Sequence, residues 1–216
     1  MNKCKAVLAT LITASVLVPA MAYDTSSPLA YNFIGVSYQD TSFRNSPFSP
    51  TGWRADGRVM LTDHIWLGGL YQHLTGGVKS DLLADLLSEQ QNVKLTELGM
   101  QVGYRFPLMR NTDLNTYLHY STNKHRETLS QRDFSQRFDA YGAAIGFSHW
   151  LADSWDLSVK TGYRYDQKWR GLDENHGRLF LDLGAKVALT QSLQITTAVR
   201  FSDGQNSWST GLSYRF

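Results

Sequence analysis

The chain has 216 residues, 42% hydrophobic and 12% aromatic, with 21 Lys+Arg against 19 Asp+Glu and one cysteine. Its mean hydropathy is −0.32, and beyond its N-terminus no run of about 18 apolar residues occurs, which excludes a helical membrane protein. A barrel that crosses a bilayer with strands is not excluded, because only alternate residues of such strands need be apolar.

Residues 1–22 read as a secretory signal peptide. Lys3 and Lys5 form a positive start, 6–18 is an apolar run broken only by Thr and Ser, and Ala20-Met21-Ala22 is a small-x-small cleavage site. The mature chain is expected to begin at Tyr23, and 23–216 is the right length for one domain. Without Lys3 and Lys5 the 21 basic residues become 19, equal to the 19 acidic ones. Net charge therefore gives a nucleic-acid role no support. Cys4 precedes the apolar run, so it is not a lipoprotein cysteine, and its removal leaves no thiol for disulfides, catalysis or metal.

The rest of the chain alternates with a period of two, as strands do when their faces meet different surroundings. The first strand is expected over 29–40, with either Tyr31 and Phe33 or Ile34, Val36 and Tyr38 outward. A loop with Asn45, Pro47 and Pro50 follows. Residues 52–61 set Trp53, Ala55, Val59 and Leu61 against Arg54, Asp56, Arg58 and Met60. Residues 65–72 set Ile65, Leu67 and Tyr71 against Trp66, Leu70 and Gln72. Residues 78–92 break the rhythm; Ser80 could cap a short helix carrying Leu82, Leu83, Leu86 and Leu87 on one side.

Residues 93–106 place Leu98, Met100, Val102, Tyr104 and Phe106 opposite Glu97, Gln101 and Arg105. Residues 107–113 read as a polar turn. In 114–122, Leu114, Leu118 and Tyr120 oppose Asn115, Tyr117 and His119. The charged stretch 123–135 reads as a loop. Residues 136–150 have Tyr141, Ile145 and Phe147 on one face and the small row Ala140, Gly142, Ala144, Gly146 on the other. Residues 151–154 are expected to turn the chain. Two more strands, 155–167 and 177–189, set Leu, Val and Tyr against Lys160, Arg164, Asp166, Arg178, Asp182 and Lys186. A ninth strand starts at Leu193 and turns Arg200 to its polar face.

The chain ends N-S-W-S-T-G-L-S-Y-R-F. Trp208, Leu212, Tyr214 and Phe216 fall on one face, and Arg215 lies on the other. This ending resembles the closing strand of bacterial outer-membrane barrels, where an aromatic last residue is the mark read by the assembly machinery. With the leader and the alternating strands, the mature chain resembles the small porin-like outer-membrane β-barrel superfamily, the OmpA/OmpX-type barrels and their relatives. The fold class expected is all-β, a closed antiparallel transmembrane β-barrel of about ten strands, with eight, the number of that type, as the alternative. The resemblance implies the cell outer membrane, short turns in the periplasm and long loops outside. It also implies outer-membrane lipid, lipopolysaccharide and the barrel-assembly machinery as partners, and a monomer.

Given a barrel, the apolar face must meet lipid, since Lys or Arg there costs about 2–4 kcal/mol at mid-bilayer. Arg54, Asp56, Arg58, Glu97, Arg105, Lys160, Arg164, Asp166, Arg178, Asp182, Lys186, Arg200 and Arg215 are then expected to face the lumen. They form either an ion-pair network that plugs the barrel or the lining of a narrow pore favouring anions. Aromatic residues at strand ends, Trp53, Tyr71, Tyr104, Phe106, Trp155, Tyr165, Trp208 and Phe216, suit interfacial girdles. His119 is the best-placed acid or base, but no nucleophile, phosphate-loop or metal-ligand pattern accompanies it, and no cofactor is expected. The functional reading is a non-enzymatic structural barrel or narrow pore. A hydrolase acting at the outer rim, or an adhesin or receptor working through 78–92 and 123–135, is the alternative.

Overall fold

The computed structural model describes residues 31–44, 49–77, 92–129, 132–152, 154–167 and 176–216. Ten strands follow in order: β1 (Phe33–Phe43), β2 (Thr51–Met60), β3 (Ile65–Gly77), β4 (Asn92–Met109), β5 (Thr112–Leu129), β6 (Arg132–Ala152), β7 (Trp155–Asp166), β8 (His176–Ala188), β9 (Leu193–Ser202) and β10 (Gln205–Arg215). Each pairs antiparallel with its neighbours in the chain, and β1 pairs with β10 from Phe33↔Arg215 to Phe43↔Gln205, so the sheet closes. The count is ten, not eight. Closure leaves no strand edge with unpaired N–H and C=O groups, each of which would cost several kcal/mol in hydrocarbon.

The alternation sorts as the sequence suggests. Trp53, Leu98 and Leu179 stand 62%, 61% and 68% exposed on the outside, while Trp66 and Leu74 are fully buried inside. The ambiguity in β1 resolves by burial: Ile34, Val36 and Tyr38 face out, and Ser37, Gln39 and Thr41 are buried within. One end of the barrel carries the chain turns near 61–64, 110–111 and 189–192, the turn residue Ser154, the start of β1 and the end of β10. The other end carries the opposite ends of the strands, among them Phe43, Gly77, Asn92, Asp166 and His176, and the turn at Asp203–Gly204. They are called here the turn end and the loop end.

Five expectations change. The stretch 107–113 is not all turn, because β4 runs to Met109 and β5 starts at Thr112, which leaves only 110–111 between them. The stretch 123–135 is not a loop, because β5 runs to Leu129 and β6 starts at Arg132, their pairing continuous from Thr112↔His149 to Leu129↔Arg132. The first strand lies at Phe33–Phe43, not 29–40. Leu151 and Ala152 belong to β6, not to a turn, with a register shift between Trp150 and Ala152. Phe106 is only 8% exposed, packed on the Tyr104 ring at 4.5 Å, and is no girdle residue of the outer surface. The leader 1–22 and the leucine-rich stretch 78–91 lie outside the described residues.

Inside, large and small side chains are unevenly distributed. Trp66, Tyr117, Ala144, Phe180 and Tyr31 form an apolar cluster, with Met60 and Trp150 against it. Trp66 lies opposite Gly103, where an added Cβ would overlap the indole. His119 projects toward Gly142, where a Cβ would meet its ring at 2.5 Å. The small row on β6 is therefore filled by side chains of its neighbours. Across the barrel, Ser37 on β1, Thr196 and Ala198 on β9, and Ser207, Ser209 and Ser213 on β10 also present short side chains inward, and these face open space, whereas Gly211 is closed on by Val36 and Ser37.

Candidate functional site

That space is a cavity of about 680 Å³ bounded by the short-side-chain wall of β1, β9 and β10 and by charged side chains on β2, β4, β7 and β8. At the loop end it reaches Phe43, Phe138, Arg178 and Gln205, and toward the turn end it reaches Phe33, Ser148, Asp156 and Lys186. Seven inward cations line it, Arg54, Arg58, Lys160, Arg164, Arg178, Lys186 and Arg200, against five carboxylates on the strands, Asp56, Glu97, Asp156, Asp166 and Asp182.

Three layers of contact organise these charges. Toward the loop end, Arg164 holds Glu97 and Asp166, both at 2.8 Å, and donates to the Asn123 side-chain oxygen at 3.0 Å. Arg178 closes on the other oxygen of Asp166 and reaches Gln205 at 3.3 Å. At mid-height Arg200 grips Asp182 with two bonds, 2.6 and 2.7 Å, and Arg54 pairs with Asp56 at 3.4 Å. Toward the turn end Lys186 approaches Asp156 at 3.9 Å and lies 4.4 Å from the Phe33 ring centroid. Among the described residues, Arg58 and Lys160 make no ion pair within 4.0 Å. Arg58 is instead stacked over the Trp66 ring at 3.7 Å, a contact worth up to about 2 kcal/mol when water is excluded.

Below the cavity, at the turn end, lies a floor. Arg105 and Asp113, 6% and 0% exposed, pair at 2.8 Å, the Tyr31 hydroxyl donates to Asp113 at 2.8 Å, and the Asn115 amide donates to that hydroxyl at 3.0 Å. Met60 and Trp150 pack beside them. Tyr31 precedes β1 and reaches a carboxylate 82 positions along the chain, so only closure brings the two together.

All thirteen charged residues read as lumen-facing fall on the inward rows, but they do not form one network. Arg215 stands at the turn-end rim, donating from Nε to the Gln191 carbonyl at 2.9 Å. Arg105 belongs to the floor. The row Trp208, Leu212, Tyr214 and Phe216 stands outward, between 46% and 65% exposed. The floor is not legible in the sequence: Asp113 reads as part of a turn, and Tyr31 fits either face of its strand. Periodicity carried back to the start of β5 puts Asp113 inward with Asn115 and Tyr117. His149 faces outward, bonded at 2.7 Å to Thr112, while its neighbour Ser148 faces inward. Among the described residues no group of three or more His, Cys, Asp or Glu side chains could hold a metal ion.

A family model described as the outer membrane protein beta-barrel domain matches residues 9–216. No curated protein matches the chain in sequence. Among solved structures, the translocator domain of autotransporter NalP from Neisseria meningitidis is similar, at 15% identity and TM-score 0.52, covering 99% of this chain and 96% of that one. The beta domain of the Bordetella autotransporter BrkA is similar at 12% identity and TM-score 0.51, covering 87% and 100%. Neisserial surface protein A gives 13% identity and TM-score 0.47 over 85% and 95%. At these identities the likeness is one of fold.

Proposed function

The chain belongs to the outer membrane protein beta-barrel family, and from that premise we propose that it is a non-enzymatic barrel whose lumen passes small anions through a constriction at the periplasmic floor. Its place is the cell outer membrane. The turn end then faces the periplasm and the loop end the outside.

The observation that carries this reading is the cavity of about 680 Å³ beside a wall of short side chains, with seven inward cations to six carboxylates, Asp203 of the β9–β10 turn included. Among the described residues, the two cavity cations outside the ion pairs, Arg58 and Lys160, bias the path toward anions, as rings of Arg and Lys do in other pores. The floor of Tyr31, Arg105 and Asp113 keeps the conductance low.

Planar-bilayer recording tests this. The refolded protein is expected to give small steps whose reversal potential in a potassium chloride gradient favours chloride. Tyr31→Ala, which opens the floor, should enlarge them, Ser209→Trp on the short wall should shrink them, and Lys160→Glu should reduce the chloride preference. Silence from both the unaltered protein and Tyr31→Ala, or a preference for potassium, overturns the reading.

A further inference from the structure

At the turn end of the cavity the charges stop cancelling. Arg54, Arg164, Arg178 and Arg200, at mid-height and toward the loop end, each hold a carboxylate. Arg58, Lys160 and Lys186 have one carboxylate among them, Asp156, and only Lys186 comes near it, 3.9 Å from Oδ2. Asp182, the register partner of Lys160, is occupied by two bonds from Arg200. The charges of all three cations act on Asp156, and those of Arg58 and Lys186 act on Lys160, so the four groups form one cluster with an excess of positive charge.

The fold holds this cluster open. Asp156, Ser158 and Lys160 are successive inward residues of β7, and Lys186 is the register partner of Asp156 on β8. Arg58 stands on β2, on the opposite wall. The Trp66 indole covers its guanidinium at 3.7 Å, and the Phe33 ring lies 4.4 Å from the Lys186 ammonium. Stacking uses the face of a guanidinium and leaves its N–H edges able to donate in the plane. Arg58 and Lys186 are thus positioned by rings, and their donors at the cavity wall stay available to whatever enters.

The acid decides what that is. Asp156 is 6% exposed and lines the cavity, and among the described residues nothing donates to its Oδ1. A buried acceptor without a donor is costly, and a ligand that brings the donor relieves the cost. Three cations around one bare acceptor suit an anion that still carries a hydrogen. Chloride has none to give. Sulfate has none near neutral pH and would set its own oxygens against Oδ1. Inorganic phosphate keeps at least one P–OH in either of its neutral-pH charge states, and its double negative charge matches the excess of the cluster.

We infer that the turn-end part of the cavity is a binding site for inorganic hydrogen phosphate, its anionic oxygens on Arg58, Lys160 and Lys186 and its P–OH donating to Asp156. The Ser158 hydroxyl lies between the two β7 members of the site. The site deepens the pore reading and rests on the lumen's being open to solutes from the loop end, but not on passage through the floor.

Isothermal titration calorimetry of the refolded protein in detergent tests it, with phosphate, sulfate and methyl phosphate compared at equal ionic strength. A phosphate monoester loses its last proton near pH 6, so at about pH 7.5 methyl phosphate has the charge of phosphate without the P–OH. Phosphate should bind saturably at a single site. Sulfate and methyl phosphate should each bind at least about tenfold more weakly, because a site built around a ligand's hydroxyl rejects the analogue that lacks it. Asp156→Asn, whose amide can donate to an oxyanion, should abolish or reverse the preference for phosphate over sulfate. Arg58→Gln and Lys160→Gln should weaken both ions. Heat-modifiable electrophoretic mobility checks that each variant folds, and the three-ion comparison on the unaltered protein needs no variant. Absence of saturable phosphate binding, equal affinity for phosphate and sulfate, methyl phosphate binding as tightly as phosphate, or an unchanged preference in folded Asp156→Asn overturns the site. Conductance keeps the two readings apart. Phosphate binding to a barrel that stays silent even with Tyr31→Ala supports the site and sinks the pore, whereas chloride steps without phosphate binding do the reverse.

Discussion

At the residue scale the barrel is decided by pairs that form only when it closes. Asp113 is fully buried and held by Arg105 and Tyr31. Removing one partner of such a pair strands the other charge without water, at about 3–5 kcal/mol, whereas replacing both with apolar groups of similar volume is often nearly neutral. Asp113→Ala should therefore lower the unfolding midpoint in denaturant titration far more than the double change Arg105→Met/Asp113→Leu. Equal loss in the two would mean the pair is not isolated from water. Arg105 could be placed inward from sequence because its strand alternates cleanly. Asp113 sits where β5 begins, beside Pro107 and Asn111, residues that read as a turn, and the bulge between Pro107 and Met109 hides the period. A residue's face is local information. Its partner's identity is not.

At the element scale the same limit explains the one large misreading. β5 and β6 extend beyond the apolar band to Leu129 and Arg132. There the outward row has left the apolar band and the inward row carries polar side chains such as His125 and Gln136, so K-H-R-E shows no apolar contrast to read. Alternation reports a difference in surroundings, and where the difference ends, the strand becomes illegible although its backbone pairing continues. It follows that this upper hairpin contributes little to the barrel beneath it. Joining Lys124 to Arg137 through an Asn-Gly turn, a pair suited to two-residue hairpins, should leave a protein that still migrates as a compact band before boiling. Its thermal midpoint should fall by only a few degrees, consistent with a change of about 1 kcal/mol. Loss of the compact band would show that the hairpin is required for closure.

At the scale of the whole molecule, the void is what no stretch of sequence discloses. The row Ala140, Gly142, Ala144, Gly146 on β6 and the row Ser207, Ser209, Gly211, Ser213 on β10 look alike as text. Around β6 the space is taken by His119, Lys160 and the aromatic cluster, while beside Ser207, Ser209 and Ser213 of β10 it stays open, Gly211 alone being closed on by Ser37 of β1. Which of two small-residue rows makes room for neighbours, and which makes a passage, depends on what stands opposite once β1 meets β10. That seam can be probed directly. Gln39 and Ser209 are register partners, both facing inward, and antiparallel partners stand about 4.5–5.5 Å apart at Cα, within the span a disulfide bridges. With Cys4 replaced by Ser, the variant Gln39→Cys/Ser209→Cys should oxidise to a species that runs faster than the linear chain on non-reducing gels after boiling and reverts with thiol. Linking positions so far apart removes loop entropy from the unfolded chain, worth roughly 5 kcal/mol on that model, so the oxidised form should also melt higher. No crosslink, with both single-cysteine variants folded and reactive, would mean that the first and last strands are not partners. The wall of short side chains, and the passage beside it, would then have no basis.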